Sequence, residues 1–298
     1  MDIYGKMNQK ISPKIKQKIY KIASFLEVNS FVIYGGTAVD LLSKHIINDY
    51  DIAISYKSKK QIKDIKDILK SKGFVIVEPW REYIIHKNKK VILVYAKNKD
   101  YFLDIVFLRD LSLIGLYDID SSYIIYPEIK VIDKYNGLDN LKRKRINLIR
   151  DINSENPYLL LGRFIYLCSK YYITLSYIKH KEILLNLKEK CEKYKSKKKY
   201  FRTQVIPSFY SHIFKAILKL KNKPNFINTL IEMKIFKKIF PSLNIALNNI
   251  MKNKQLTNKL IFIKDRQELI YFLYNSLDKN TKKKFLREVN KLKSRNWE

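Results

Sequence analysis

The chain has 298 residues, of which 46% are hydrophobic and 30% charged, with only 7 glycines and 7 prolines; it can build one large or two modest domains and is neither disordered nor fibrous. Lys, Asn or Asp interrupts every apolar run short of a membrane span, and MDIYGKMNQK has no secretory core, so a cytosolic protein without membrane association is expected. Lys and Arg number 60 against 28 Asp and Glu, a net charge of +32, which excludes polycationic partners and attracts polyanions such as nucleic acid.

In chain order, an amphipathic helix is predicted over residues 15–27, then an apolar strand over 31–34, a Gly-Gly turn and a helix through Leu41. A strand over 51–55 and a helix over 59–72 follow, the helix with Ile62, Ile65, Ile68 and Leu69 at helical spacing. Short strands are predicted at 74–77, 83–86, 91–95 and 102–107. From about Leu141 the pattern is helical almost throughout, with helices over 159–171, 181–193, 211–220, 226–236 and 269–277. The basic run KYKSKKK at 193–199 is either a solvated loop or a contact to an RNA backbone. The expected fold class is α+β, with an all-helical second part.

Residues 35–54 carry the chemistry. A strand ends in Gly35 and Gly36, a helix begins, and Asp49 and Asp51 sit two apart at the next strand. Glycines at a helix N-terminus let backbone N–H groups approach phosphates, which the helix dipole also favours. Carboxylates two apart on a strand project from one face. A third acid, Asp104, lies inside the apolar strand YFLDIVF, where a charge is costly without a cation. Three such acids around two Mg²⁺ ions suit nucleotidyl transfer, so Asp49, Asp51 and Asp104 are the candidate catalytic and metal-binding residues. Asp40, four residues beyond Gly36, is otherwise only a charge near a helix N-terminus.

The ordered set resembles the class II tRNA nucleotidyltransferases and the bacterial poly(A) polymerases, a branch of the DNA polymerase β-like superfamily. Their GGxVRDxLLG and DxD pattern has the same spacing from Gly35 and Gly36 through Asp40 to Asp49 and Asp51, with Val39 in place of the arginine. RDLSLIGLY at 109–117 is similar to the RRDFTINALY segment that contacts the incoming nucleotide; Arg109 and Asp110 match, while Leu108 and Ile114 depart. VIDKYNGLDNLKRKRI at 131–146 is similar to the element joining head and neck, with Asp133, Gly137 and Leu141 aligned. In NPYLLLGRFIYLCSKYYITL, similar to the neck helix, the selecting Glu, Asp and Arg fall near Asn156, Pro157 and Leu160, and Arg163 alone remains of the arginines. The segment at 226–243 is similar to part of the body.

The resemblance implies a nucleotidyltransferase head over residues 1–140, a small mixed sheet flanked by helices, and an all-helical neck, body and tail over 141–298. It implies template-independent addition of CCA, or part of it, to a tRNA 3′ end from CTP and ATP, with Mg²⁺ as cofactor. Gly35, Gly36, Asp40, Arg109, Asp110 and Arg163 would bind the nucleotide. Two other readings stay open: a poly(A) polymerase or A-adding enzyme, suggested by the departures at the neck, and a catalytically inactive RNA-binding protein of the same fold. Abundant Lys, Ile, Asn and Tyr also fits AT-rich coding in a reduced genome of an endosymbiont, organelle or large virus. Cys168 and Cys191 show no metal-ligand or disulfide pattern, and His45, His86, His180 and His212 are expected in surface or packing roles.

Overall fold

The structure, a computed structural model, describes residues 11–45, 47, 49–77, 82–85, 89–108, 118–149, 151, 156–194, 205–220 and 223–289. The chain divides into two compact units, Met1–Arg143 with Asn147–Ile149, and Lys144–Ile146 with Arg150–Glu298. The first holds the sheet and the second is helical among the described residues, an α+β arrangement.

Helix α1, Pro13–Leu26, starts where Ser12 accepts a hydrogen bond from the Ile15 amide and Pro13 takes the first turn. Both are ordinary helix-start chemistry, a hydroxyl for an unpaired N–H and a residue that needs none. Its Ile19, Ile22, Phe25 and Leu26 are buried, three or four residues apart, and it stops at Glu27 in the left-handed region. Strand β1, Phe31–Ile33, is buried at every position, as an apolar run flanked by strands on both edges should be. Helix α2, Gly35–Ser43, follows directly, then strand β2, Tyr50–Ser55, and helix α3, Lys59–Ser71, capped by Ser58 and buried through Ile62, Ile65 and Leu69.

Strands β3 (Val75–Val77), β4 (Glu82–Ile85), β5 (Lys89–Lys97), β6 (Phe102–Leu108), β7 (Tyr123–Tyr126) and β8 (Lys130–Ile132) complete the sheet. Among the described residues eight strands run in the order β3-β5-β6-β2-β1-β7-β8, with β4 also paired to β5. β2 and β6 are parallel and every other pairing is antiparallel, so the sheet is mixed. Strands β7 and β8 lie outside the predicted strands. They form because β1 has a second edge to satisfy: β7 pairs with it from Phe31–Tyr126 to Ile33–Ile124, and Phe31 stacks on Tyr126 at 4.8 Å.

Short helix α4, Gly137–Lys142, closes the first unit. The second contains α5 (Pro157–Lys170), α6 (Ile178–Lys193), α7 (Ile206–Lys219), α8 (Lys223–Glu232), α9 (Pro241–Lys252), α10 (Lys254–Phe262), α11 (Arg266–Asn275) and α12 (Lys279–Val289). Gly162 of α5 lets α7 come close: a Cβ there would lie 3.2 Å from Phe209 Cδ2. Phe209 stacks on Phe240 at 4.6 Å, and Tyr158 and Tyr210 meet the same pair edge-on. Tyr171 and Tyr210 are fully buried, whereas Tyr20, Tyr172 and Tyr271 are exposed, so the tyrosines divide between core and surface. Residues 254–289 form α10 to α12, with α11 falling where a helix is predicted over 269–277, and Leu260, Leu269, Leu273, Phe285 and Val289 are buried.

Candidate active site

The first turn of α2 and the start of β2 are cross-linked by one side chain. Gly35 opens the helix at φ +60°, a backbone angle that glycine adopts without strain, and a Cβ on it would make only ordinary contact with Asp51 Oδ2, 3.5 Å away. Thr37, 2% exposed, accepts a hydrogen bond from the Asp51 amide at 2.8 Å through Oγ1. The same Oγ1 lies 2.9 Å from the Asp49 carbonyl and 3.1 Å from Asp51 Oδ2, two acceptors for its single proton. The Thr37 amide donates to Asp51 Oδ2 at 3.4 Å, and the Tyr34 amide to the Asp51 carbonyl at 3.1 Å. The Asp51 carboxylate therefore rests on the positive end of α2, where the dipole and the N–H groups favour an anion.

Asp104 stands beside it. In the parallel β2–β6 ladder Asp51 is directly in register with Asp104, and in-register neighbours project from the same face of strands about 4.8 Å apart. Tyr95 of β5 is the partner of Asp104 on the other side and shares that face. Asp104 Oδ1 is buried. Asp49 is exposed, in a bend one residue before β2, and its carbonyl faces Thr37 Oγ1.

Oxygen ligands of this kind suit Mg²⁺, which takes one or two carboxylates and completes its shell with water and substrate phosphates. Asp51 and Asp104 meet that requirement. Among the described residues no group of three or more His, Cys, Asp or Glu is placed to hold a metal ion, so the expected three-acid cluster reduces to the Asp51–Asp104 pair, with Asp49 exposed ahead of β2, and a bound metal would complete its shell with water or substrate oxygens.

Gly36 is buried in the first turn of α2. Asp40 is 4% exposed, on the face of α2 turned into the fold. Arg109 and Asp110 lie outside the described residues, as do His86 and residues 195–199 of the basic run. Asp133, matched through the resemblance, has a clear local task. Its carboxylate accepts from the Gly137 amide at 2.8 Å and the Leu138 amide at 3.0 Å, capping α4, and from Ser122 Oγ at 3.1 Å.

In the helical unit, Asn156 accepts from the Tyr158 amide at 3.0 Å and caps α5, Pro157 occupies its first turn, and Leu160 is fully buried. These positions serve the helix and its core. Arg163 lies over the Tyr166 ring at 5.5 Å, and Tyr166 in turn meets His212 at 5.7 Å. Burial, with Arg163 and Lys215 nearby, pushes His212 down to about 3.

Three residues that do structural work here were not singled out in the sequence for it. Thr37 is one, the third residue of a GGT that reads as filler. His180, fully buried, is another. Its Nδ1 is 2.6 Å from the Thr174 carbonyl and must carry the proton, leaving Nε2 to accept from the Ile146 amide at 3.2 Å. Lys223, 3% exposed, is the third; its ammonium donates to the carbonyls of Leu260, Ile261 and Ile263 and caps the C-terminus of α10. Only Thr37 had a signal, its place between the glycines and the acids.

This fold, an α+β unit followed by a helical unit, is shared with solved structures of CCA-adding enzymes. The chain is similar to the Thermotoga maritima CCA-adding enzyme complexed with tRNA, at 16% identity and TM-score 0.61, over 94% of this chain and 67% of that one. It is similar also to a CCA-adding enzyme in complex with ATP, at 17% identity and TM-score 0.63, over 93% and 67%, and to an apo tRNA-processing enzyme, at 17% identity and TM-score 0.60, over 97% and 77%. The chain spans about two thirds of the length of the CCA-adding structures it matches. No protein-family model matches the sequence, and no curated protein matches it significantly. Among the described residues no helix is long and apolar enough to cross a membrane.

Proposed function

We propose that the protein is a template-independent nucleotidyltransferase that extends an RNA 3′ end, with CCA addition to tRNA from CTP and ATP as the leading reaction. The observation that carries this reading is the register of Asp51 with Asp104 beside the Gly35–Gly36 end of α2, in a fold shared with CCA-adding enzymes. The backbone of Gly35 and Gly36 would receive the triphosphate at the helix N-terminus. Asp51 and Asp104 would hold Mg²⁺, which when bound supplies charge neutralisation for the phosphates. Asp104 would take the proton of the primer 3′ hydroxyl as its oxygen attacks the α-phosphorus and pyrophosphate leaves. Arg109 and Asp110 would help hold the nucleotide, and the basic surface would attract the RNA.

A second reading, addition of A only, is favoured by Asn156, Pro157 and Leu160, where base-selecting polar groups would stand and where capping and core residues stand instead. Direct hydrogen-bond readout of a base is worth about 1–3 kcal/mol per bidentate pair in double-stranded DNA, so its loss relaxes choice. The test incubates a tRNA lacking its CCA end with CTP alone, ATP alone, or both, in Mg²⁺, and sizes the products. Three-nucleotide extension only with both nucleotides supports CCA addition, and a ladder with ATP alone supports the second reading. Absence of extension and of pyrophosphate under every condition overturns both and leaves an inactive RNA-binding protein.

A further inference from the structure

We infer that Thr37 is a positioning residue that presets the Asp51 carboxylate for a metal ion, an inference that rests on the nucleotidyl-transfer reading of the same site. Three groups of the Asp49–Asp51 segment converge on one hydroxyl: the Asp51 amide at 2.8 Å, the Asp49 carbonyl at 2.9 Å and Asp51 Oδ2 at 3.1 Å. The Thr37 amide adds a contact to Oδ2 at 3.4 Å. Asp49 precedes β2; among the described residues β1 pairs with β2 from Ile52 onward and β6 pairs with it from Tyr50. The ladder therefore reaches Asp51 but stops short of Asp49, and the Thr37 hydroxyl ties the two together.

The hydroxyl has one proton and two acceptors in reach, so it can stay on the Asp49 carbonyl while Asp51 Oδ2 turns toward a cation, or bridge to Oδ2 when no cation is there. Thr37 sits in the first turn of a helix that is buried from Gly35 to Leu41, and its own side chain is locked in place. A side chain so fixed sets the direction of the carboxylate before any ligand arrives, which is how groups behind metal ligands raise affinity. Valine has nearly the same shape as threonine and no hydroxyl; serine keeps the hydroxyl and loses the methyl.

The test measures Mn²⁺ binding to the full chain by electron paramagnetic resonance without nucleotide, for wild type, Thr37→Val and Thr37→Ser, with thermal melts alongside and Mg²⁺ titrations of tRNA extension. Thr37→Val is expected to weaken Mn²⁺ binding about 10-fold or more and to raise the Mg²⁺ needed for half-maximal extension, with much of the maximal rate recovered at high Mg²⁺. Thr37→Ser is expected to stay close to wild type in both. Equal Mn²⁺ affinity in wild type and Thr37→Val, or equal losses in Thr37→Ser and Thr37→Val, would overturn the inference while leaving the functional reading standing. A wild-type chain that neither binds Mn²⁺ nor extends RNA would instead remove the functional reading, and this inference with it. Should Thr37→Val not fold, Thr37→Ala against Thr37→Ser makes the same comparison.

Discussion

The sheet unit and the helical unit both bury polar side chains, and they use them in opposite ways. In the helical unit several such groups are matched to structure: Lys223 to three carbonyls at the end of α10, His180 to one carbonyl and one amide, and Tyr210 to Glu288, with Ser242 on the other carboxylate oxygen. In the sheet unit two carboxylates are set side by side in register, with a helix N-terminus against one of them. Like charges at that distance raise each other's cost of ionisation unless a cation arrives. Polar burial that satisfies itself holds a fold together, whereas polar burial that gathers one sign of charge is suited to a ligand.

The contrast is broken most sharply at the acids. Asp51→Asn or Asp104→Asn is expected to lower nucleotide addition on the order of 10³-fold while the melting temperature holds or rises, since a like-charge contact is relieved; extension assays and calorimetry on the same preparations check both. Wild-type extension in either variant would remove the catalytic assignment. On the helical side, Lys223→Met should leave three carbonyls at the end of α10 without their donor and cost about 1–3 kcal/mol in a urea titration. Extension per folded molecule should be unchanged.

Tyr210→Phe removes one hydrogen bond to a carboxylate, 2.8 Å long, and should cost about 1.5 kcal/mol in the same titration. The smallest effect is a pH dependence. His180 and His212 are both held below the usual imidazole range, His180 by burial against the opposing Thr174 carbonyl, His212 by burial with Arg163 and Lys215, to about 3. A lowered folded pKa means that the unfolded chain binds more protons below about pH 6.5, so stability falls as the pH drops through that value. For His212 the loss should reach about 1 kcal/mol by pH 5.5. Melting temperatures from pH 7.5 to 5.5 should decline less steeply in His212→Leu than in wild type.

Where a local period or a chemical exception governs, the sequence was readable. Ile62, Ile65 and Leu69 mark α3, and Asp104 stands out as a charge inside an apolar strand. The glycines are legible for the same reason, since few residues tolerate the conformation that Gly35 adopts. Strands β7 and β8 were not, because YIIY and KVI are too short to show a period, and β7 exists as a strand only against β1 and β8 only against β7. His180 fits the packing role expected of the histidines, but its buried bridge to the Ile146 amide depends on a partner 34 residues away.

By itself the sequence determined the order of elements that carry the acids, the glycine-led helix start, the change from mixed to helical structure near residue 141, and the positive charge. These follow from side-chain chemistry and short-range spacing, which no distant contact can alter. Tertiary structure alone decided that Asp51 and Asp104, 53 positions apart in the chain, become lateral neighbours, that Thr37 bonds both Asp49 and Asp51, and that Asn156 and Leu160 serve a helix cap and a core. Register between strands and the burial of a helix face are set by the packing of the whole unit, and no local pattern encodes them.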